Sequence, residues 1–169
     1  DMILLSKIPG MTILAPSSYQ ELQQMFEDAL AITDGPVAIR WAKTPAPHVG
    51  WDEVGRGLSA RQVKAASDDR TVCLLGAGKM LAAVEEAADL LAADGIHATV
   101  WDPRCIRPLD VAMLDDAAGH RLVVTVEDGF REGGFGTGVM DDLSSRSPRT
   151  EVAVLGVPVA HHPHGKVDD

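Results

Sequence analysis

Apolar residues along this chain alternate between short unbroken runs and longer stretches in which they recur every three or four positions. The runs at residues 12–15, 37–41, 71–75, 96–101, 122–126 and 152–155 have the length of buried strands. Between them lie helical patterns: Leu22, Met25, Phe26, Ala29 and Leu30, then Leu81, Val84, Ala88 and Leu91, then Val111, Leu114 and Ala118, then Val139 and Leu143. Local stop and start signals agree with these elements. Ser18-Tyr-Gln-Glu21 has the form of a capping box, with the serine oxygen taking a free amide and the glutamate reaching back to another. Asp34-Gly35-Pro36 ends the first helix, Gly95 closes the second and Asp110 caps the third. Strands alternating with helices predict an α/β fold, a small doubly wound sheet preceded by a strand-helix-strand unit whose two strands are parallel.

Residues 42–69 interrupt this rhythm. Pro45, Pro47, Gly50, Gly55 and Gly57 break any period, so the stretch reads as a linker crossing between domains, with a short strand or helix around residues 62–66.

Composition narrows the function classes. The 169 residues carry 25 acidic against 15 basic side chains, a formal charge of −10, with no basic run, which argues against a nucleic-acid partner. The two cysteines, Cys73 and Cys105, lie in or beside apolar strands without metal-type spacing, as expected of a reduced, cytoplasmic compartment. No apolar run reaches membrane-spanning length. Asp1 is not an initiator and the apolar run at residues 2–5 has nothing before it to pack against, so the chain is expected to be a piece of a longer protein.

Candidate chemistry gathers where strands end. In Val100-Trp-Asp-Pro-Arg-Cys-Ile-Arg-Pro-Leu109, Pro103 stops an apolar strand and places Arg104 beyond its carboxyl end, the edge at which open α/β sheets bind ligands. A guanidinium there either grips two oxygens of a phosphate or carboxylate ligand or pairs with a carboxylate in a domain interface. Arg40 has the same setting after its own strand, beside Trp41 and close to Lys43, so Arg40 and Arg104 form a candidate anion clamp. Gly76-Ala-Gly78 follows a strand and opens a helix, but Leu81 stands where a dinucleotide-binding turn has its third glycine, so the glycines are read as making the turn. Glu127-Asp128 with Gly133-Gly134-Phe-Gly136 brings two carboxylates to a helix amino terminus, where they serve acid–base chemistry or bond free amides. His161, His162 and His164 lack a carboxylate or cysteine at ligand spacing and are read as a solvated or partner-facing turn.

In order along the chain, Gly35-Pro-Val-Ala-Ile-Arg40, Asp102-Pro-Arg104-Cys-Ile-Arg-Pro-Leu-Asp110, Val124-Thr-Val-Glu-Asp128, Gly133-Gly-Phe-Gly136 and Gly156-Val-Pro158 resemble the carboxyl-terminal part of the 1-deoxy-D-xylulose-5-phosphate synthases, transketolase-like thiamine diphosphate enzymes. The resemblance implies that residues 1–41 end a pyrimidine-binding domain, residues 42–69 cross between domains and residues 70–169 form a transketolase-type carboxyl-terminal domain. It implies a cytoplasmic homodimer that condenses pyruvate with glyceraldehyde 3-phosphate for isoprenoid precursors. Arg40 and Arg104 match the arginines that hold the acceptor's phosphate, with Lys43 as a secondary contact. Thiamine diphosphate and Mg2+ are implied as cofactors, held mainly by regions upstream of Asp1, so no catalytic residue is expected within these residues and the piece alone is expected to be inert. After Arg40 the sequence Trp41-Ala-Lys-Thr44 lacks the proline and glycine usual in that family, which leaves room for another acceptor aldehyde. A transketolase, the beta subunit of a 2-oxo acid dehydrogenase and a non-catalytic assembly or regulatory domain are the competing readings.

Overall fold

The computed structural model describes residues 1–66 and 70–161. A short helix α1 (Met2–Leu5) leads into β1 (Thr12–Leu14), α2 (Tyr19–Ala31) and β2 (Val37–Ile39). After a 3-10 turn at Trp51–Glu53 come β3 (Arg61–Lys64), β4 (Val72–Gly76), a second 3-10 turn at Gly78–Met80, α3 (Leu81–Ala93), β5 (Thr99–Asp102) and β6 (Cys105–Arg107). The chain then forms α4 (Val111–Ala117), β7 (Leu122–Phe130), α5 (Phe135–Arg146) and β8 (Glu151–Val157).

The strands make two sheets. One has three strands in the order β2-β1-β6, the other five in the order β3-β5-β4-β7-β8. As the strand-helix-strand pattern requires, β1 and β2 are parallel, as are the pairs β5-β4, β4-β7 and β7-β8. The alternation of side chains along β4 shows why helices cover both faces of the larger sheet. Val72 and Leu74 pack with Leu81, Val84 and Ala88 of α3, whereas Cys73 and Leu75 point the other way, into a core with Met113, Leu114, Val139 and Leu143 of α4 and α5. On the smaller sheet, Ile13 joins that same core while Leu14 packs with Met25 of α2.

Two expectations change. Part of the supposed linker is the edge strand β3, antiparallel to β5, because Val63 has an apolar neighbour cluster to cover and the sheet edge offers unpaired amides. β5 does end at Asp102, just before Pro103, as expected; what changes is the onward course of the chain. It reverses at Arg104, whose φ is +55°, and returns as β6 to pair antiparallel with β1, so the second half of the chain completes the first sheet.

The helix α2 is turned from its expected face. Ser18 caps it, its oxygen accepting from the Glu21 amide at 3.1 Å. Glu21 does not reach back to complete the box: its side chain is buried, together with Gln24 and Met25, while Phe26 and Leu30 are exposed.

Candidate functional site

The parallel strands of both sheets point their carboxyl ends toward one edge, and the side chains just past those ends define the site. Arg40 follows β2, its amide donating to Leu14 O at 2.8 Å, which fixes the residue as a continuation of the strand pairing. Its guanidinium reaches across to the larger sheet. Nη1 donates to Asp128 Oδ1 at 2.5 Å, and Nε lies 3.2 Å from Asp1 Oδ2. Lys79 approaches the same carboxylate from the turn after β4, with Nζ 3.8 Å from Asp128 Oδ2. That turn is set by Gly78, at φ +57°, and by the Ala77 amide, which donates to Val126 O at 2.9 Å and so ties the turn to β7. Each oxygen of Asp128 therefore faces its own cation, one from each sheet.

Beneath this surface cluster Glu127 is buried and plays a different part. Its two oxygens accept from the Phe135 amide at 3.1 Å and the Gly136 amide at 2.9 Å, satisfying free donors at the start of α5. Glycine is required at position 134, because a Cβ there would collide with the Glu127 carboxylate and the Phe130 carbonyl. Burial pushes the Glu127 carboxyl above its ordinary pKa, against the lowering effect of the two amides. Of the two uses considered for this acid, bonding amides is the one the structure shows.

Arg104, the other arginine of the expected clamp, is fully buried. Its Nε donates to Glu21 Oε2 at 2.8 Å, Nη1 to the carbonyls of Gly57 and Ser59 at 3.0 and 2.8 Å, and Nη2 to Asp28 Oδ2 at 3.4 Å. Glu21 also accepts from the Gly55 amide at 2.8 Å, and a side chain on Gly55 would overlap the guanidinium. Asp102 accepts from Ser17 Oγ at 2.6 Å and the Arg104 amide at 3.0 Å, with Arg61 Nη2 3.8 Å away. Burial raises the Asp102 carboxyl to about pKa 6, and the nearby Glu21 adds to this against Ser17, Arg61 and the Arg104 amide.

The structure does not bring Arg40 and Arg104 together. Every nitrogen of the Arg104 guanidinium is engaged by α2 and by the chain between Gly55 and Ala60, and it does not meet Arg40. The physical reason lies in α2: Glu21 and Asp28 face inward on the same side of the helix, and two carboxylates out of water need a cation. Lys43 is exposed and takes no part in the Arg40 cluster among the described residues. Lys79 is placed beside Asp128 by the turn at Gly76-Ala-Gly78, and the glycine pattern carries no signal of that placement. His120 likewise has no signal in the sequence pattern. It is buried, its ring nitrogens within 3.0 Å of Thr99 Oγ1 and of the Asp116 carbonyl, and it bridges β5 and α4.

Among the described residues no three His, Cys, Asp or Glu side chains converge to hold a metal ion, and no helix is long and apolar enough to cross a membrane. Of the terminal histidines, His162 and His164 lie outside the described residues; His161 is exposed.

A doubly wound domain with a charged cluster on its carboxyl edge, joined to a strand-helix-strand unit by a buried arginine, is the class that this geometry defines. The chain belongs to the family described as transketolase, C-terminal domain, whose model matches residues 61–169. Its relatives are specific within that class. It is 37% identical over 169 residues to the 1-deoxy-D-xylulose-5-phosphate synthase of Leifsonia xyli, covering 100% of this chain and 26% of that protein. It is 39% identical over 152 residues to the enzyme of the same name from Anaeromyxobacter dehalogenans, covering 86% of this chain and 23% of that protein. The chain thus spans about a quarter of the length of these curated relatives. A solved structure described as a split gene transketolase, inactive beta4 tetramer, superposes with a TM-score of 0.83 and 28% identity over 93% of this chain and 51% of that one.

Proposed function

We propose that this chain is the carboxyl-terminal region of a thiamine-diphosphate-dependent synthase that condenses pyruvate with glyceraldehyde 3-phosphate to 1-deoxy-D-xylulose 5-phosphate, releasing carbon dioxide. The observation that supports this most is the likeness to synthases of that name along all 169 residues, at 37% identity. Residues 1–41 end the pyrimidine-binding domain, and the carboxyl-terminal domain takes in β3 as its edge strand.

Arg40 is the residue that holds the acceptor's phosphate. It stands at the carboxyl edge with a side chain about a quarter exposed, and it offers the planar donor pair that matches two phosphate oxygens. Holding the phosphate at a distance places the aldehyde carbon for attack. Arg104 is a positioning residue, locking α2 against the carboxyl-terminal domain and so fixing where Arg40 stands relative to Asp128.

The cofactor is a separate matter. Thiamine diphosphate, when bound, supplies the electron sink that lets pyruvate lose carbon dioxide. The described residues of this chain do not fit its diphosphate and magnesium end, since no ligand set converges and even a Cβ on Gly78 would lie against Ala15 and Pro16. Those groups belong to other parts of the enzyme.

The test uses the full-length enzyme. Arg40→Ala raises KM for glyceraldehyde 3-phosphate about tenfold or more, the worth of a lost charged hydrogen bond, with a much smaller change in KM for pyruvate. Equal effects on both substrates, or no product from this pair, overturn the reading. A second reading, transketolase activity, is favoured by the superposition on the split gene transketolase; turnover of ketose donors in place of pyruvate distinguishes it. The tetramer recorded for that neighbour supports self-association of this protein, and the mass of the intact enzyme in solution checks whether it is the homodimer that the family resemblance implies.

A further inference from the structure

Among the described residues the two sheets have four edge strands, and three of them are short. β2 and β6 have three residues each, and β3 has four with Arg61 and Lys64 at its ends. Short or charged edges resist pairing with another chain. The fourth edge strand, β8, is seven residues long, and Val152-Ala-Val-Leu-Gly156 within it holds no charge and no proline. Among the described residues β8 pairs only with β7. We propose that β8 pairs antiparallel with β8 of a second copy of this chain, about a two-fold axis through Val154. This rests on the self-association proposed above and supplies a surface for it.

Backbone direction decides which groups of β8 face outward. The Glu151 amide donates to Arg121 O at 2.9 Å on the β7 side, so by alternation along the strand the N–H and C=O groups of Val152, Val154 and Gly156 face the open edge. An axis through Val154 sets that residue opposite its copy and Val152 opposite Gly156. All three outward residues then exchange both of their hydrogen bonds. Charge selects the same register. The Arg131 amide donates to Val157 O at 2.9 Å, so Arg131 stands beside the far end of the strand, with its side chain 58% exposed. The Glu132 carboxylate is 3.9 Å from Arg131 Nε, longer than a hydrogen bond, so the guanidinium keeps its donors. Pairing about Val154 sets Glu151 opposite Val157 of the copy and so beside its Arg131, once at each end. An axis through Glu151 would instead bring two glutamates face to face. Side-chain sizes agree. On one face Leu155, 52% exposed, comes opposite Ala153 of the copy, a large residue against a small one. On the other face Thr137 and Met140 of α5 border a depression with Val152 and Val154, and pairing brings a second Met140 toward it. A two-fold contact of this kind is self-complementary, with every pairing made twice.

The test uses the full-length enzyme carrying Ala153→Cys and Leu155→Cys together. Across the axis these positions form a non-hydrogen-bonded pair with Cα atoms about 4.5 Å apart, within reach of a disulfide. Mild oxidation then links two chains, seen as a doubled mass on a non-reducing gel and located by mass spectrometry of the joined 153–155 peptide. In denaturant the link does not form. Cys73 and Cys105 are buried and do not compete. Glu151→Arg or Arg131→Glu alone raises the dissociation constant of the pairing, read by sedimentation, about tenfold, and the two together restore it. Where other regions of the enzyme hold a dimer, the step read is dimer to tetramer. Cysteines that react with maleimide at every protein concentration and never cross-link show an open edge and overturn the pairing. Cysteines that neither react nor cross-link until the protein is denatured show that another segment of the same polypeptide covers β8, which also overturns it. Turnover of pyruvate with glyceraldehyde 3-phosphate by the same variant tests the reading of function separately, because Ala153 and Leu155 take no part in the Arg40 cluster.

Discussion

Arg104 and Glu21, 83 residues apart, form an ion pair of 2.8 Å in which both side chains have no solvent exposure. The pair joins α2 to the reversal between β5 and β6, within a set in which Glu21, Asp28 and Asp102 face the guanidinium groups of Arg104 and Arg61. Taking one partner away leaves the other charged and out of water. Arg104→Ala is therefore expected to lower the stability of the chain by about 3–5 kcal/mol, measured by urea unfolding. Arg104→Met combined with Glu21→Leu is expected to recover part of that loss. A wild-type midpoint in the single variant means that the carboxylates find another partner.

Asp102 makes stability depend on pH in the direction opposite to most carboxylates. Its folded pKa of about 6 lies above the ordinary value of 3.8, so between these values the folded state holds a proton that the unfolded state has lost. Its contribution is most favourable below about pH 4, declines as pH rises toward 6 and then levels off. The difference at pH 7 is about 3 kcal/mol. Relative to Asp102→Asn, the wild-type chain should gain stability as pH falls from 7 to 4, which urea unfolding at several pH values reads directly. Parallel curves for the two proteins count against the effect.

Both thiols are buried, and burial pushes both upward, Cys105 to about pKa 11 and Cys73 further. The thiolate is the reactive form, so alkylation of the folded chain at pH 8 should be slow for both, on the order of a hundredfold below a free thiol. Mass spectrometry after a timed pulse of iodoacetamide, with and without denaturant, provides the comparison. Rapid labelling of the native protein indicates opening of the core around β4 or β6.

Glu127 holds the amino terminus of α5 by two amide bonds. Glu127→Gln keeps one acceptor and turns an amide group toward an amide donor. A loss of about 1–3 kcal/mol is expected, visible as a lowered Tm and as faster hydrogen exchange at Phe135 and Gly136. Unchanged exchange at those two positions shows that the helix start is held by other contacts.

Much of this protein is set by short stretches of its own sequence. The apolar runs became β1, β2, β4, β5, β7 and β8, the three-to-four spacing became α3, α4 and α5, and Ser18 and Asp110 cap helices as their positions require. These features depend on neighbours within a turn or two, so local sequence determines them. Tertiary structure alone decided the rest. Of the expected apolar face of α2, Leu22, Met25, Phe26, Ala29 and Leu30, Met25 is buried with Ala29 against it, but Phe26 and Leu30 are exposed and Glu21 and Gln24 are buried, because a guanidinium 83 positions away arrives to balance the carboxylate. Arg40 and Arg104 look alike in sequence, each at a strand end. One stands at an open edge beside Asp128 and Lys79, and the other is sealed inside. The cost of burying a charge is set by which opposite charge lies within a few ångströms in space, and spacing along the chain carries no measure of that distance.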